Sequence, residues 1–278
     1  MNLVEFSRRA GRHIAWRAER VSTLAVDRLR RGDRVVITTP VAGPRFGNWL
    51  YLWLGAHRRT ASGEITRVLE APGMAPWLEA FPGLAALTLP RAELRFHDRR
   101  EWDARMTTPH FGVDFSRESL VAFINDVLAP SVVPGPADSL VVNIRRGDYY
   151  SSPHFRELYG FDQIGYLRAA LEEVGRVDRG VVVSDDVAWC RRNIEGVLRR
   201  YAGEIDFVDS DQVGDFRTIA GAARLIGTNS TFSYWGGYVA RALRPAARVV
   251  MPRFHARLPG MEGGPQLDPE WTIIEGFY

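Results

Sequence analysis

The chain contains no lysine and a single cysteine, Cys190. One cysteine excludes an intramolecular disulfide framework and fits a reducing compartment. All 36 basic residues are therefore arginine. Codon usage accounts for that bias, and it lowers what any one arginine can tell. No run of 18 apolar residues occurs, so no membrane-spanning helix is expected. No signal-peptide core precedes a small-residue cleavage site, and the expected location is cytoplasmic. A formal net charge of +3 is too small to indicate nucleic acid as a partner. Hydrophobic residues make up 46% of 278 positions, enough for the cores of two ordinary domains.

The pattern along the chain is α/β. Val35–Thr39 reads as a strand and Gly47–Thr60 as a helix, whose Leu50, Tyr51, Trp53 and Leu54 belong to a core. Strands at 66–70 and 85–88 flank a helix beginning near Ala75, and 117–127 is helical. Turn formers crowd Ser131–Asp138, the best boundary. Beyond it, apolar strands at 139–144, 180–184, 205–208, 224–228 and 248–251 alternate with helices, which predicts a doubly wound parallel sheet. The expected division is an N-terminal helix (1–34), an acceptor-side α/β domain (35–130) and a nucleotide-sugar-binding Rossmann-like domain (138–278). Residues 2–31 space Leu3, Phe6, Ala10, Ile14, Val21, Leu24 and Leu29 among arginines, the pattern of a basic amphipathic helix. Such a helix packs on its own domain or rests on anionic lipid, peripheral on the inner membrane face.

Three strand ends carry chemistry. The first is Asn143-Ile144-Arg145-Arg146-Gly147-Asp148-Tyr149, where a β-branched run stops at two arginines. In open α/β folds ligands bind at the carboxyl edge of the sheet, and the planar guanidinium suits phosphate. A second copy of the four letters, Arg30-Arg31-Gly32-Asp33, precedes a strand and reads as a turn. The second strand end is Ser184-Asp185-Asp186. The third is Thr228-Asn229-Ser230-Thr231-Phe232-Ser233-Tyr234-Trp235, where hydroxyl residues start a helix and make an anion cradle. Arginines and a helix N-terminus suit a diphosphate; a carboxylate suits a guanine edge or a ribose hydroxyl.

These three motifs, in this order, resemble the donor-site motifs of the bacterial α-1,2-fucosyltransferases, glycosyltransferase family 11. Gly43-Pro44-Arg45-Phe46-Gly47-Asn48 resembles that family's N-terminal Gly-x-x-Gly-Asn-Gln loop. The resemblance implies a GT-B-like fold of two facing Rossmann-like domains. It also implies inverting, metal-independent transfer of fucose from GDP-fucose to a sugar hydroxyl, with no cofactor. Arg145 then holds the β-phosphate, with Arg146 as partner. Asn229, Ser230, Thr231, Phe232 and Ser233 form the diphosphate loop, and Asp185 or Asp186 lies near the nucleoside. Gly43, Arg45, Gly47 and Asn48 face these motifs across the interdomain gap.

The chain departs from the family at three places. Asn143 stands where the family has His and can carry neither proton nor charge. Trp49 replaces an amide, and Tyr234 precedes Trp235 in place of a second Trp. Asp148, His154 and Glu157 follow the arginines as candidates for an acceptor base. Asp148 also reads as a structural group that pins an arginine. Asp209-Ser210-Asp211 matches the Asp-x-Asp of metal-dependent glycosyltransferases, but it is read as a loop, and no metal site is expected. Two alternatives stay open: a transferase of the same build using another nucleotide sugar, and a non-catalytic nucleotide-sugar-binding protein.

Overall fold

The computed structural model describes residues 29–39, 45–102 and 104–278. Gly43 and most of the expected N-terminal helix lie outside them. The first sheet is parallel in the order β3-β2-β1-β4: β1 Val35–Ile37, β2 Thr66–Leu69, β3 Thr88–Leu89 and β4 Arg99–Glu101. Helix α1 (Phe46–Ala61) links β1 to β2, and two short helices, α2 (Ala75–Ala80) and α3 (Pro82–Ala86), lie between β2 and β3. Helix α4 (Arg117–Phe123) runs into a π-turn, Ile124–Leu128.

The second sheet, also parallel, contains β5 (Ser139–Ile144), β6 (Val177–Ser184), β7 (Ala202–Phe207), β8 (Arg224–Ile226), β9 (Arg248–Pro252) and β10 (Thr272–Ile274). Its order is β7-β6-β5-β8-β9-β10. The chain steps outward from β5 to β7, returns beside β5, and steps outward again. That is the doubly wound Rossmann order, with its reversal between β5 and β8. The intervening helices are α5 (Gly147–Ser151), α6 (Pro153–Tyr159), α7 (Gln163–Val174), α8 (Val187–Asn193), α9 (Glu195–Leu198), α10 (Gln212–Ala220) and α11 (Thr231–Leu243).

Strand β5 is buried on both faces, as its Ser-Leu-Val-Val-Asn-Ile sequence demands. Leu140, Val142 and Ile144 pack against Tyr166, Leu167 and Leu171 of α7. Val141 faces the opposite way, into a core that both halves build together. There Phe46 stacks on Trp77 and meets Phe216 and Phe232 edge-on, while Trp235 packs on Tyr51 and Phe123. The two sheets are thus joined by a common aromatic core.

Four segments differ from expectation. The 85–88 strand is helix α3 followed by a two-residue strand, because Pro82 starts a helical turn and alanines, not β-branched residues, continue it. Strand β4 has no apolar signal: it is an edge strand whose Arg99 and Glu101 pair with Glu64 and Arg59. The helical stretch between β6 and β7, where the alternation of strands and helices suggests a single helix, is broken at Ile194 into α8 and α9. Helices α5 and α6, which follow the two arginines, carry no clear periodic signal in the sequence.

Candidate active site

The reversal of strand order between β5 and β8 brings the first and third motifs together. Thr228, two residues past β8, accepts a 3.1 Å hydrogen bond at Oγ1 from the Arg145 backbone N–H. β6 lies on the other side of β5 and brings the second motif against the first. Arg145 donates from Nη1 toward Asp185 Oδ2 at 2.7 Å and from Nη2 to Asp148 Oδ1 at 2.6 Å. Asp185 also accepts from the Arg146 backbone N–H at 2.7 Å. Gly147 is what permits this approach. Its φ is +22°, and a Cβ there would lie 2.3 Å from Asp185 Oδ2.

The two arginines differ. The Arg145 side chain is one-third exposed, with a guanidinium held between two carboxylates. Arg146 is 14% exposed and sandwiched between the rings of Tyr150, 4.1 Å away, and Trp189, 3.7 Å away. Its Nη1 donates to Gln163 Oε1 at 3.1 Å, and its Nε lies 3.6 Å from Asp186 Oδ2. Burial draws its pKa below the usual arginine value, although a guanidinium stays charged under any ordinary condition. Gln163 also donates to the Arg145 carbonyl at 2.8 Å, so one buried amide spans both arginines. Asp186 caps α8 by accepting from the Trp189 N–H.

Most side chains of the expected donor loop turn inward. Asn143 donates to the Val183 carbonyl and accepts from the Ser233 hydroxyl at 2.6 Å. Ser233 Oγ lies 2.8 Å from Ser230 Oγ, and Ser230 caps α11. Asn143 thus brackets β5, β6 and α11, a role an amide fills without a charge. Asn229, fully buried, donates to the carbonyls of Tyr159 and His255. The half-buried Thr231 and Phe232 face α1. A Cβ on Gly47 would lie 2.5 Å from Thr231 Oγ1 and 2.7 Å from the Phe232 nitrogen. Of the facing loop, then, Gly47 meets the third motif directly. Asn48 turns to the Thr107 carbonyl at 2.9 Å, and Arg45 is exposed. Trp49 is buried.

Sequence reasoning missed Gln163, Trp189, Tyr150 and His255. None belongs to a motif, and only the fold brings them in. His255, just past β9, is buried beside Tyr159, with Nδ1 at 3.1 Å from the Tyr234 hydroxyl. Burial pushes its pKa down to about 4. His154 and Glu157 are exposed on α6. The Asp-x-Asp stretch lies in the loop between β7 and α10, as expected; Asp211 caps α10 and the Ser210 hydroxyl bonds to Asp215. Among the described residues no group of three His, Cys, Asp or Glu is placed to hold a metal ion.

The Glycosyl transferase family 11 model matches residues 88–252, more than half of the chain, from β3 through β9. The chain belongs to glycosyl transferase family 11. Three relatives are similar over shorter stretches. An O-antigen biosynthesis glycosyltransferase WbnK of Escherichia coli is 27% identical over 138 residues, 48% of this chain and 44% of that protein. An alpha-1,2-colitosyltransferase of Escherichia coli is 29% identical over 110 residues, 37% and 36% of the two chains. The galactoside 2-alpha-L-fucosyltransferase SEC1 of Bos taurus is 32% identical over 112 residues, 38% and 29%. This family 11 chain therefore spans less than half the length of each. A solved structure of POFUT1 in complex with GDP covers 80% of this chain and 99% of its own, at 12% identity and a TM-score of 0.39. All three strand-end motifs fall inside the family 11 match, whereas the Gly47 loop lies before it.

Proposed function

We propose that this chain transfers fucose from GDP-fucose to a hydroxyl of a glycan acceptor, with inversion and without a metal ion, in the synthesis of cell-envelope glycan. The observation that carries this reading is the meeting of Arg145 with the start of α11 at the β5–β8 reversal. Departure of a nucleoside diphosphate builds negative charge on the β-phosphate, and fixed cations and N–H dipoles placed there lower the barrier. Arg145 supplies that cation. Asp185 keeps Nη1 in place while Nη2 exchanges Asp148 for a phosphate oxygen, so Asp148 parks the arginine until the donor arrives. Arg146, Gln163 and Asp186 hold the platform. The inward-turned Asn143, Ser230 and Ser233 fix the start of α11, so that its backbone N–H dipole serves the diphosphate while the Thr231 and Phe232 side chains pack toward α1. Arginine and helix dipole together do what a divalent cation does elsewhere, which supports a reaction needing no cofactor.

The test is calorimetric binding of GDP and UDP, without metal and with Mg²⁺, followed by turnover of GDP-fucose with galactose-ended acceptors. GDP-selective, metal-independent binding with release of GDP is expected. UDP preference or strict Mg²⁺ dependence would overturn it. The colitosyltransferase relative favours a second reading, in which the donor sugar is colitose. Comparing turnover of GDP-colitose with that of GDP-fucose separates the two.

Among the described residues no helix is long and apolar enough to cross a membrane. A peripheral position through the basic stretch 2–31 is part of the proposal. Flotation with anionic but not neutral vesicles is the expected result, and loss of flotation on removing that stretch checks it.

A further inference from the structure

The N-terminal sheet has its own reversal of strand order, between β1 and β4. A cavity of about 280 Å³ lies there. Ile37 ends β1, and Arg105 and Met106 belong to the turn after β4; all three line it. The cavity thus sits beyond the carboxyl ends of neighbouring strands at a switch point, where open α/β sheets bind ligands. None of the three strand-end motifs lines it.

Helix α1 forms one wall. Gly47, Tyr51, Gly55 and Arg58 follow one another at helical spacing and make one stripe. Gly47 touches the third donor motif, Tyr51 packs on Trp235 of that motif at 5.0 Å, and Gly55 and Arg58 border the cavity. Gly55 is roughly 12 Å along the helix from Gly47 at 1.5 Å per residue. A glycine inside a helix weakens it relative to alanine. At Gly47 contact with Thr231 requires it, but a Cβ on Gly55 would meet only Ile37 Cδ1, at 4.0 Å. The bare position at Gly55 therefore serves open space, not close packing.

The lining suits a particular chemistry. Tyr51 and Phe115, ring centroids 5.7 Å apart and almost wholly buried, back the cavity with aromatic carbon. Arg59 is neutralised by Glu64 and Glu101. Arg58 has no carboxylate partner among the described residues; it donates to the Asp114 backbone carbonyl, while the Asp114 carboxylate accepts from the His110 N–H. Aromatic carbon behind the cavity, with a guanidinium at its edge that pairs with no carboxylate among the described residues, fits a sugar that carries negative charge.

We propose that this cavity binds an anionic sugar unit of the acceptor, behind the unit whose hydroxyl reacts. The proposal rests on the transferase reading, and its test is read separately from it. The full-length protein is titrated with methyl β-galactopyranoside and with methyl β-galactopyranosiduronate, the same ring bearing a carboxylate, by ligand-detected NMR; galactose 6-phosphate is a third arm that distinguishes phosphate from carboxylate. GDP affinity is measured alongside. The uronate should bind about tenfold more tightly than the neutral sugar, the worth of one charge-assisted hydrogen bond. Arg58→Gln should erase that preference, and Gly55→Phe should remove binding of both sugars, with GDP affinity unchanged in each. Preference for the phosphate arm would assign the anion as phosphate and uphold the cavity. Equal binding of charged and neutral sugars, or uronate binding indifferent to both variants, would overturn the proposal. Arg58 is exposed, so its variant tests the idea even if phenylalanine at position 55 impairs folding. Failure of the unmodified protein to bind GDP would count against the donor assignment, and the uronate titration would still decide the cavity.

Discussion

Arg145 and Arg146 are adjacent in the chain and opposite in their surroundings, so their loss should be felt in different measurements. Arg145 is partly exposed and its ion pairs are the kind that contribute little to stability. Arg145→Ala should cut GDP-fucose turnover by about 10²–10³-fold, the usual cost of losing one donor to a developing oxyanion, while the urea midpoint stays near that of the parent. Arg146→Ala empties the slot between Tyr150 and Trp189 and strands the buried Gln163, so it should lose about 1–3 kcal/mol of stability in the same titration. The reverse pattern would mean that the roles are exchanged. His255 gives a pH signature. Its pKa falls from the ordinary value near 6.5 to about 4 on folding, because burial disfavours the imidazolium among Tyr234, Tyr159 and the Asn229 amide. The unfolded chain therefore binds the proton first. Stability contributed by a neutral His255 is complete above about pH 6.5 and is lost as pH falls toward 4. Melting curves at pH 7, 5.5 and 4.5 should show that loss, and His255→Gln should flatten it; an unchanged slope in the variant would assign the pH dependence to other groups.

Two glycines of α1 make opposite predictions at the scale of an element. Gly47→Ala drives a methyl group into the backbone of Phe232 and should separate α1 from α11, lowering the melting temperature and GDP-fucose turnover together. Gly55→Ala meets nothing closer than 4.0 Å and should raise stability by up to about 1 kcal/mol through helix propensity. Thermal unfolding of the two variants beside the parent checks both, and a destabilised Gly55→Ala would mean that the helix face there is not open. The elements differed in how legible they were. β5 and the Val181–Val183 stretch of β6 announce themselves, since the part of a parallel strand buried on two faces reads as a continuous apolar run. β4 does not, because an edge strand of Arg-Arg-Glu is held by ion pairs to residues 35 and 42 positions away. The pairing of Arg145 with Asp185 was within reach once both motifs were placed at strand ends. The inward turn of Asn143 and Ser233 was not, because it depends on which face of β5 meets α11. Gln163 was invisible, a single amide at the start of α7 whose role exists only in the folded chain.

At the scale of the molecule, the halves divide by sheet and not by core. Ser131–Asp138 carries the chain from one sheet to the other, yet the buried cluster includes residues from both sides of it. Phe46, Trp77 and Phe81 of the first half enclose Phe216 and Phe232 of the second, and Tyr51 and Phe123 enclose Trp235, which is wholly buried. Neither half has a core of its own on that side, so separating them exposes a continuous aromatic surface, and burial of such surface is the largest favourable contribution to folding. The site then inherits its precision from the interface: Gly47 reaches the third motif only because α1 is seated on α11. Two expectations follow from one structure. Urea unfolding followed by far-ultraviolet circular dichroism and by tryptophan fluorescence should give superimposed single transitions, since no half can melt alone. Trp235→Ala, which opens a cavity between the halves, should cost about 3–5 kcal/mol and lower both curves together. Two resolved transitions in the parent protein, or a Trp235→Ala variant in which one probe moves and the other does not, would show that the halves are autonomous domains and that the contact between α1 and α11 is made on demand, as a closing motion around the donor.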